Sequence, residues 1–426
     1  MTWHNACILI LRLVLVLIAH SAVSAQEVLK VQPEEVGLSS ERLQRLSDVL
    51  QGYVADGKLA GGVALVARHG KVAYLEAFGQ RERESGSPMP RNAIFRIASQ
   101  TKALVSVGVM LLQEEGRLLI SDPIGKYLPA FQKTTVAVSN EDSGYDVVPA
   151  KRPITIRDLL THTAGIGYGG GLARDRWKEA GIQGWYFAHR DEPIAATVSR
   201  MAALPFDAQP GERFVYGYNT DILGALIESL SGEALDEFLK ARILKPLGMQ
   251  DTHFYIPSAK KERLAVVYSD TGAGRLERAP NPGGMVGQGA YIEGPRTSFS
   301  GGAGLLSTAT DYARFLLMML NGGEFNGNRI LSSKTVELMT MNHLGEVALP
   351  WDGVGFGLGF SVVMDPGARG LPGSVGEFGW GGAYHSTYWV DPAEQLVVVY
   401  FTQLIPANGL DDHGKLRALV YQALLD

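Results

Sequence analysis

Ser99-Gln100-Thr101-Lys102 sets a hydroxyl and an amine three residues apart. On a helix that spacing places both side chains on one face, one turn apart. A serine at a helix start lies beside unpaired N–H groups and the positive end of the helix dipole. A lysine drawn into an apolar interior loses hydration, which lowers its pKa. A neutral amine accepts the serine proton, so the pair has the means to activate an otherwise weak nucleophile. The four-residue pattern alone discriminates poorly, since composition gives roughly one or two copies in a chain this long. A second copy, Ser258 to Lys261, lies in the polar run Pro257-Ser258-Ala259-Lys260-Lys261-Glu262-Arg263 and reads as solvated surface. The first copy is followed by Ala103, Leu104, Val105, Val107, Val109, Met110 and Leu111. A helix apolar nearly all round is buried, so Lys102 enters a core. The competing reading is a capping serine and a lysine whose stem snorkels to solvent.

Other chemistries lack their residues. The chain has no Gly-x-Ser-x-Gly elbow, no His-Glu-x-x-His and no P-loop. Gly165, Gly167 and Gly170 match a dinucleotide-type glycine pattern but follow a helix-like segment, so they read as a flexible loop. The nine histidines show no metal-ligand spacing, and neither a metal nor an organic cofactor is implied. Cys7 is the one cysteine, which excludes a disulfide framework and a zinc site of paired thiolates. The formal charge, 39 − 44 = −5, comes with no long basic run, which argues against a nucleic-acid surface.

The elements that must position the pair follow from periodicity. Residues 1–25 carry one charged side chain, Arg12, then an apolar run, then Val23-Ser24-Ala25. They read as a secretory signal cleaved after Ala25, too short in its apolar run to anchor in a bilayer. The mature protein is therefore expected outside the cytoplasm, periplasmic or secreted, without cysteine. Residues 39–56 predict an amphipathic helix behind a serine cap. Residues 61–68 and 72–78 predict strands joined by the turn His69-Gly70. Residues 98–115 predict the buried helix, and 121–257 a mainly helical block with long loops. Residues 288–304 predict loop and 310–321 a helix. Strands are expected over 357–364, 383–390 and 395–402, the last two a hairpin across Asp391-Pro392, and a final helix over 412–424. Hairpin-linked strands at both ends imply one antiparallel β-sheet flanked by helices, built from both termini, with an inserted mainly helical domain. The expected division is an α/β domain of residues 26–90 and 300–426 and a helical domain of 91–299. A cleft between two such layers is a usual ligand site.

Ser99-Gln100-Thr101-Lys102, with Leu112-Gln113-Glu114-Glu115-Gly116 and Asp122-Pro123, resembles the serine β-lactamase and penicillin-binding-protein superfamily, in its class C-like branch. Further segments agree in the family's order. Leu159-Leu160-Thr161-His162-Thr163-Ala164-Gly165 is similar to its "LLTHTSG" segment. Pro210-Gly211-Glu212-Arg213-Phe214-Val215-Tyr216 is similar to the lead into its second motif, and Pro246-Leu247-Gly248-Met249 also fits. The resemblance implies Ser99 as nucleophile with Lys102 and Tyr216 as the base system. It also implies an oxyanion hole from the backbone N–H groups of Ser99 and Ala383. Two motifs depart from the β-lactamase pattern. Tyr216-Gly217-Tyr218 stands where that family has Tyr-x-Asn, and Trp380-Gly381-Gly382 stands where it has Lys-Thr-Gly. The missing Asn and Lys are the groups that would bind a β-lactam's amide and carboxylate. Trp380 supplies an aromatic wall in place of an anion site, a replacement that resembles the family VIII carboxylesterases. Tyr218, Trp380, Gly381, Gly382 and His385 are the expected substrate-binding residues, His385 on the same strand face as Ala383. The implied function is a serine carboxylesterase acting on small neutral esters through an acyl-enzyme. The alternatives are a β-lactamase, a D-amino or DD-peptidase, an acyltransferase, or a non-catalytic binding protein on the same scaffold. No nucleic acid and no stable membrane anchor are expected as partners.

Overall fold

The computed structural model describes residues 28–141, 144–272, 275–280 and 289–425. The expected signal segment, Cys7 and part of the expected loop 288–304 lie outside the described residues. Eight strands form one antiparallel sheet. They are β1 (Gly61–Arg68), β2 (Lys71–Glu82), β3 (Ser87–Pro88), β4 (Val354–Phe356), β5 (Ser361–Val363), β6 (Phe378–Gly382), β7 (Ser386–Asp391) and β8 (Leu396–Thr402). Their order across the sheet is β4-β5-β6-β7-β8-β1-β2-β3. The two ends of the chain meet where β1 pairs with β8, Val63 opposite Phe401 and Leu65 opposite Val399. The fold class expected from the sequence is the one found.

The β1–β2 turn needs left-handed backbone at both central residues, and His69 (φ 52°) and Gly70 (φ 78°) supply it. The sheet is covered on both faces, which is why β1 and β8 are apolar without alternation. On one face Ala64, Val66, Val398 and Tyr400 pack against α1 (Ser40–Ala55) and α5 (Asp412–Tyr421), through Leu43, Leu46, Leu50, Leu416 and Val420. Ser39 caps α1 by accepting the Arg42 N–H at 3.2 Å. On the other face Val63, Leu65, Val399 and Phe401 join the larger core with α2 (Thr101–Glu114), α3 (Asn219–Ser231) and α4 (Ala309–Leu320). Every residue of α2 from Thr101 to Leu112 is buried.

Three local expectations are corrected. Residues 357–364 are not one strand: β4 and β5 are separated by a turn that contains Gly359 at φ 97°. Residues 383–385 are a turn and not the start of a strand, and His385 has φ 61°. The block 121–257 also contains a hairpin, Thr135–Ser139 with Tyr145–Pro149. Among the described residues no helix is long and apolar enough to cross a membrane.

Candidate active site

Ser99 sits in a single tight helical turn, Ala98–Gln100, that leads into α2. Ala98 is held at φ 43°, a left-handed conformation that a non-glycine residue keeps only when its surroundings enforce it. The surroundings do so from three sides. Ile97 N–H donates to Leu305 O (3.1 Å), Tyr312 O–H donates to Gln100 O (2.9 Å), and Leu305 N–H donates to Thr101 Oγ1 (3.0 Å).

Lys102 is 2 % exposed, so the snorkelling reading does not hold. Its Nζ donates to Ser99 Oγ (3.2 Å), Tyr168 OH (3.1 Å) and Gly302 O (2.7 Å). Three acceptors match the three donors of an ammonium, which offsets the cost of burial. Gly302 is held in turn by Asp221, a fully buried carboxylate. Asp221 Oδ1 accepts the Gly302 N–H (3.1 Å) and the Ser300 hydroxyl (2.6 Å). A Cβ on Gly302 would lie 2.4 Å from Asp221 Oδ2, so only glycine fits. Burial pushes the Asp221 carboxyl up; the Ser300 hydroxyl, the Lys102 charge and the Gly302 N–H pull it back.

Two phenols flank the pair. The ring of Tyr216 lies under Lys102, with Nζ 4.6 Å from its centroid, and its hydroxyl accepts the indole N–H of Trp380 at 2.8 Å. Among the described residues no hydrogen bond joins the Tyr216 hydroxyl to Ser99 or Lys102. Tyr168 makes that contact instead. Part of its ring faces the cleft, while its hydroxyl is enclosed beside Lys102 and Ser99. Burial, reinforced by Tyr216 and Asp221, pushes the Tyr168 phenol well above its ordinary range. The loop from Gly165 brings Tyr168 here because Gly217 has no side chain. A Cβ on Gly217 would lie 2.3 Å from Ile166 O and 2.4 Å from the Gly167 carbonyl carbon. Behind Tyr216, at a centroid distance of 4.6 Å, is His162. Its Nδ1 faces the Asn219 amide nitrogen at 2.9 Å. Burial and the Lys102 charge push its pKa well below the usual range, so the imidazole is neutral.

Ser99, Tyr168, Trp185, Tyr216, Trp380, Gly381, Gly382, Ala383 and His385 line one cleft of about 990 Å³. The end of β6 lies close to the serine turn, since a Cβ on Gly382 would fall 2.6 Å from Ile97 O. Trp380 packs edge-on against Phe356 (5.2 Å) and Trp351 (5.8 Å), so its indole is fixed. A slightly larger hollow, about 1060 Å³, lies among Lys240, Met249, His253, Arg296 and Arg314, and Ser99 does not border it.

Two expected substrate residues are placed differently. Tyr218 is fully buried and absent from the cleft wall. Its hydroxyl donates to Gly184 O (2.7 Å), and its ring stacks on Trp177 (5.6 Å). His385 does border the cleft, but from a turn; its Nε2 lies 2.7 Å from Oδ1 of Asp412. Asn219, next after Tyr218, is no replacement for the missing asparagine. Its amide also donates to Ile166 O and Val215 O, both at 3.2 Å. Tyr168, Asp221 and Gly302 were not among the expected site residues. No spacing rule connects them to Ser99, because they reach it from three separate loops and helices. The second Ser-x-x-Lys, in the short helix Ser258–Arg263, has no buried residue, as expected.

The comparisons with known proteins agree with this architecture. The Beta-lactamase family pattern matches residues 46–422. A Mycobacterium tuberculosis protein, Rv1367c, is 36% identical over 372 residues, 83% of this chain and 88% of its own length. Esterase EstB of Burkholderia gladioli is 33% identical over 376 residues, 84% of this chain and 89% of its own. The solved structure of EstCE1, described as a hydrolase with promiscuous acyltransferase activity, superposes with a TM-score of 0.76 at 28% identity, covering 89% of this chain and 98% of that one. With a buried lysine hydrogen-bonded to a serine one helical turn away, and a family pattern matched over nearly its whole length, this chain belongs to the Beta-lactamase family of serine hydrolases.

Proposed function

We propose that the protein is a carboxylesterase that cleaves small neutral esters through an acyl-enzyme on Ser99. The observation that carries this reading is Trp380. It stands where a β-lactam carboxylate would need a cation, and its indole N–H is committed to the Tyr216 hydroxyl. That wall offers an ester no charge and an aromatic face. The 33% identity to an esterase supports the same class.

In this reading Tyr216 acts as the phenolate, and Ser99 Oγ attacks the ester carbonyl carbon while its proton passes to the Tyr216 oxygen, which becomes the neutral phenol. Tyr216 then hands the proton to the departing alkoxide, which leaves as the alcohol. In the second half Tyr216 takes a proton from water as the hydroxide adds to the acyl carbon, and the proton returns to Ser99 as the acid departs. Negative charge on the Tyr216 oxygen, present before it takes each proton and restored when it gives the proton up, is met by the Trp380 N–H and by the Lys102 ammonium over the ring. Tyr168, kept protonated by its enclosure, fixes Lys102 and Ser99 in register. The backbone N–H groups of Ser99 and Ala383 take the oxyanion, and Gly381 and Gly382 let the strand edge approach. Residues 1–25 support export, and N-terminal sequencing of secreted protein should begin at Gln26.

A panel of p-nitrophenyl acetate, p-nitrophenyl butyrate and nitrocefin on wild type and Ser99→Ala tests the proposal. Ester turnover that Ser99→Ala abolishes, at a higher kcat/KM than nitrocefin, is expected. A higher value for nitrocefin would move the protein to the β-lactamase reading, and no Ser99-dependent turnover would leave only a binding protein. Faster product formation with added alcohol than with water alone would make acyl transfer the main reaction.

A further inference from the structure

We propose that His385, Asp412 and His413 form a binding site for one divalent transition-metal ion, with the donor set of Zn²⁺, on the wall of the cleft that holds Ser99. The three residues come from two elements that the sequence separates. His385 is in the turn between β6 and β7, and Asp412 and His413 open α5. One ligand atom from each lies within 4.8 Å of the others. Two imidazoles and a carboxylate are donors that zinc accepts, with a fourth position left open.

Each donor is prepared by its neighbours. Asp412 is 0 % exposed, and its two oxygens are divided between two partners. Oδ1 faces His385 Nε2 at 2.7 Å, and Oδ2 accepts the Tyr400 hydroxyl at 2.8 Å. A hydroxyl on the far oxygen is the outer-sphere contact that orients a ligating carboxylate. His385 keeps a left-handed backbone at φ 61°, a conformation uncommon for a side-chain-bearing residue. That turn is what aims its ring at Asp412 instead of leaving it on a strand face. His413 stacks on His385 with centroids 4.1 Å apart, and its Nε2–H donates to the His385 carbonyl at 3.3 Å. Both rings border the cleft, so the open position faces substrate or water.

Metal entry would replace the proton now between His385 Nε2 and Asp412 Oδ1, and that proton leaves to solvent. Tetrahedral ligand atoms about 2.0–2.1 Å from zinc sit roughly 3.3 Å apart. The present 4.8 Å span therefore closes with a movement of about 1.5 Å. His413 is the ring placed to make it, since it is only partly buried and borders the cleft. Because binding is read directly, the site stands or falls independently of the ester reading.

The experiment is calorimetric titration of dialysed protein with Zn²⁺, paired with visible absorption on Co²⁺ addition. About one ion per chain is expected, with the d–d bands of a four-coordinate site. His413→Ala and His385→Ala should each weaken binding at least tenfold. Tyr400→Phe, which leaves all three ligands in place, should weaken it by about tenfold. His69→Ala, on an exposed hairpin turn, should leave it unchanged. Circular dichroism on each variant separates lost binding from lost fold. Absence of stoichiometric Zn²⁺ binding, or affinity untouched in folded His385→Ala and His413→Ala, would overturn the proposal and leave a plain hydrogen-bonded His–Asp pair with a stacked neighbour.

Discussion

Replacing Trp380 by Phe asks whether the indole N–H works on the reaction or only shapes the wall. The phenyl ring retains most of the packing against Phe356 and Trp351, while the 2.8 Å hydrogen bond from the indole N–H to the Tyr216 oxygen disappears. A hydrogen bond to a neutral oxygen contributes about 0.5–1.5 kcal/mol, and one to a charged oxygen about 1.5–3 kcal/mol. If Tyr216 must carry negative charge to take the serine proton, the larger range applies. At about 1.4 kcal/mol per tenfold it corresponds to a fall in kcat of about 10- to 150-fold. KM should change little, because the indole N–H bonds the enzyme's own phenol and not the substrate. The assay is steady-state hydrolysis of p-nitrophenyl butyrate, with the thermal midpoint measured alongside to confirm an intact fold. A kcat within about twofold of wild type would refute Tyr216 as the proton carrier, since a bond to a spectator hydroxyl is equally strong in ground and transition states and its loss leaves kcat unchanged. A rise in KM with kcat unchanged would make Trp380 a binding wall alone.

Tyr168→Phe removes one of the three acceptors of Lys102. Leaving a buried charged donor unmatched costs about 1–3 kcal/mol, and kcat should fall by at least about fivefold while fluorophosphonate labelling of Ser99 slows in parallel; unchanged labelling would show that Tyr168 does not act on the pair. Gly217→Ala drives a Cβ into the Ile166 and Gly167 backbone; a loss of about 1–3 kcal/mol in urea unfolding, with activity reduced because the Tyr168 loop is displaced, is expected. Asp311, at the start of α4, has its carboxyl pushed up to about 6 by burial, from an ordinary value of 3.8. A raised carboxyl favours the folded state while protonated, so that contribution is present below the unfolded pKa and is lost as pH rises from there through about 6. Asp311→Asn should therefore gain on wild type between pH 4 and pH 7, by up to about 3 kcal/mol at roughly 1.4 kcal/mol per pH unit between the two pKa values. Unfolding curves that stay parallel across that range would show that Asp311 does not titrate there.

Local pattern and the resemblance it carried were enough for the buried Ser99–Lys102 pair and the scaffold. Ser99 and Lys102 are one turn apart, so their proximity is dictated by helix geometry alone, and the apolar run behind them dictated burial. The hairpins were legible because turn residues such as His69-Gly70 and Asp391-Pro392 act on their immediate neighbours. The fate of Tyr218 was not legible: its neighbours in sequence are site residues, but its ring is claimed by Trp177 and its hydroxyl by Gly184 O. The β-rich run 383–390 puts His385 on a strand by pattern, whereas β7 begins only at Ser386.

What the sequence determined by itself was therefore whatever depends on one element: a hydroxyl and an amine on a buried helix, and an aromatic residue where a cation would bind an anion. The tertiary structure alone decided which phenol touches the pair, what carries Lys102's charge, and where His385 points. Those contacts cross from α2 to Tyr168, to the Gly302 peptide held by Asp221, and from the β6–β7 turn to Asp412. Each joins residues tens to hundreds of positions apart, and side-chain distance over such separations is set by packing and glycine-permitted close approach, which periodicity does not encode.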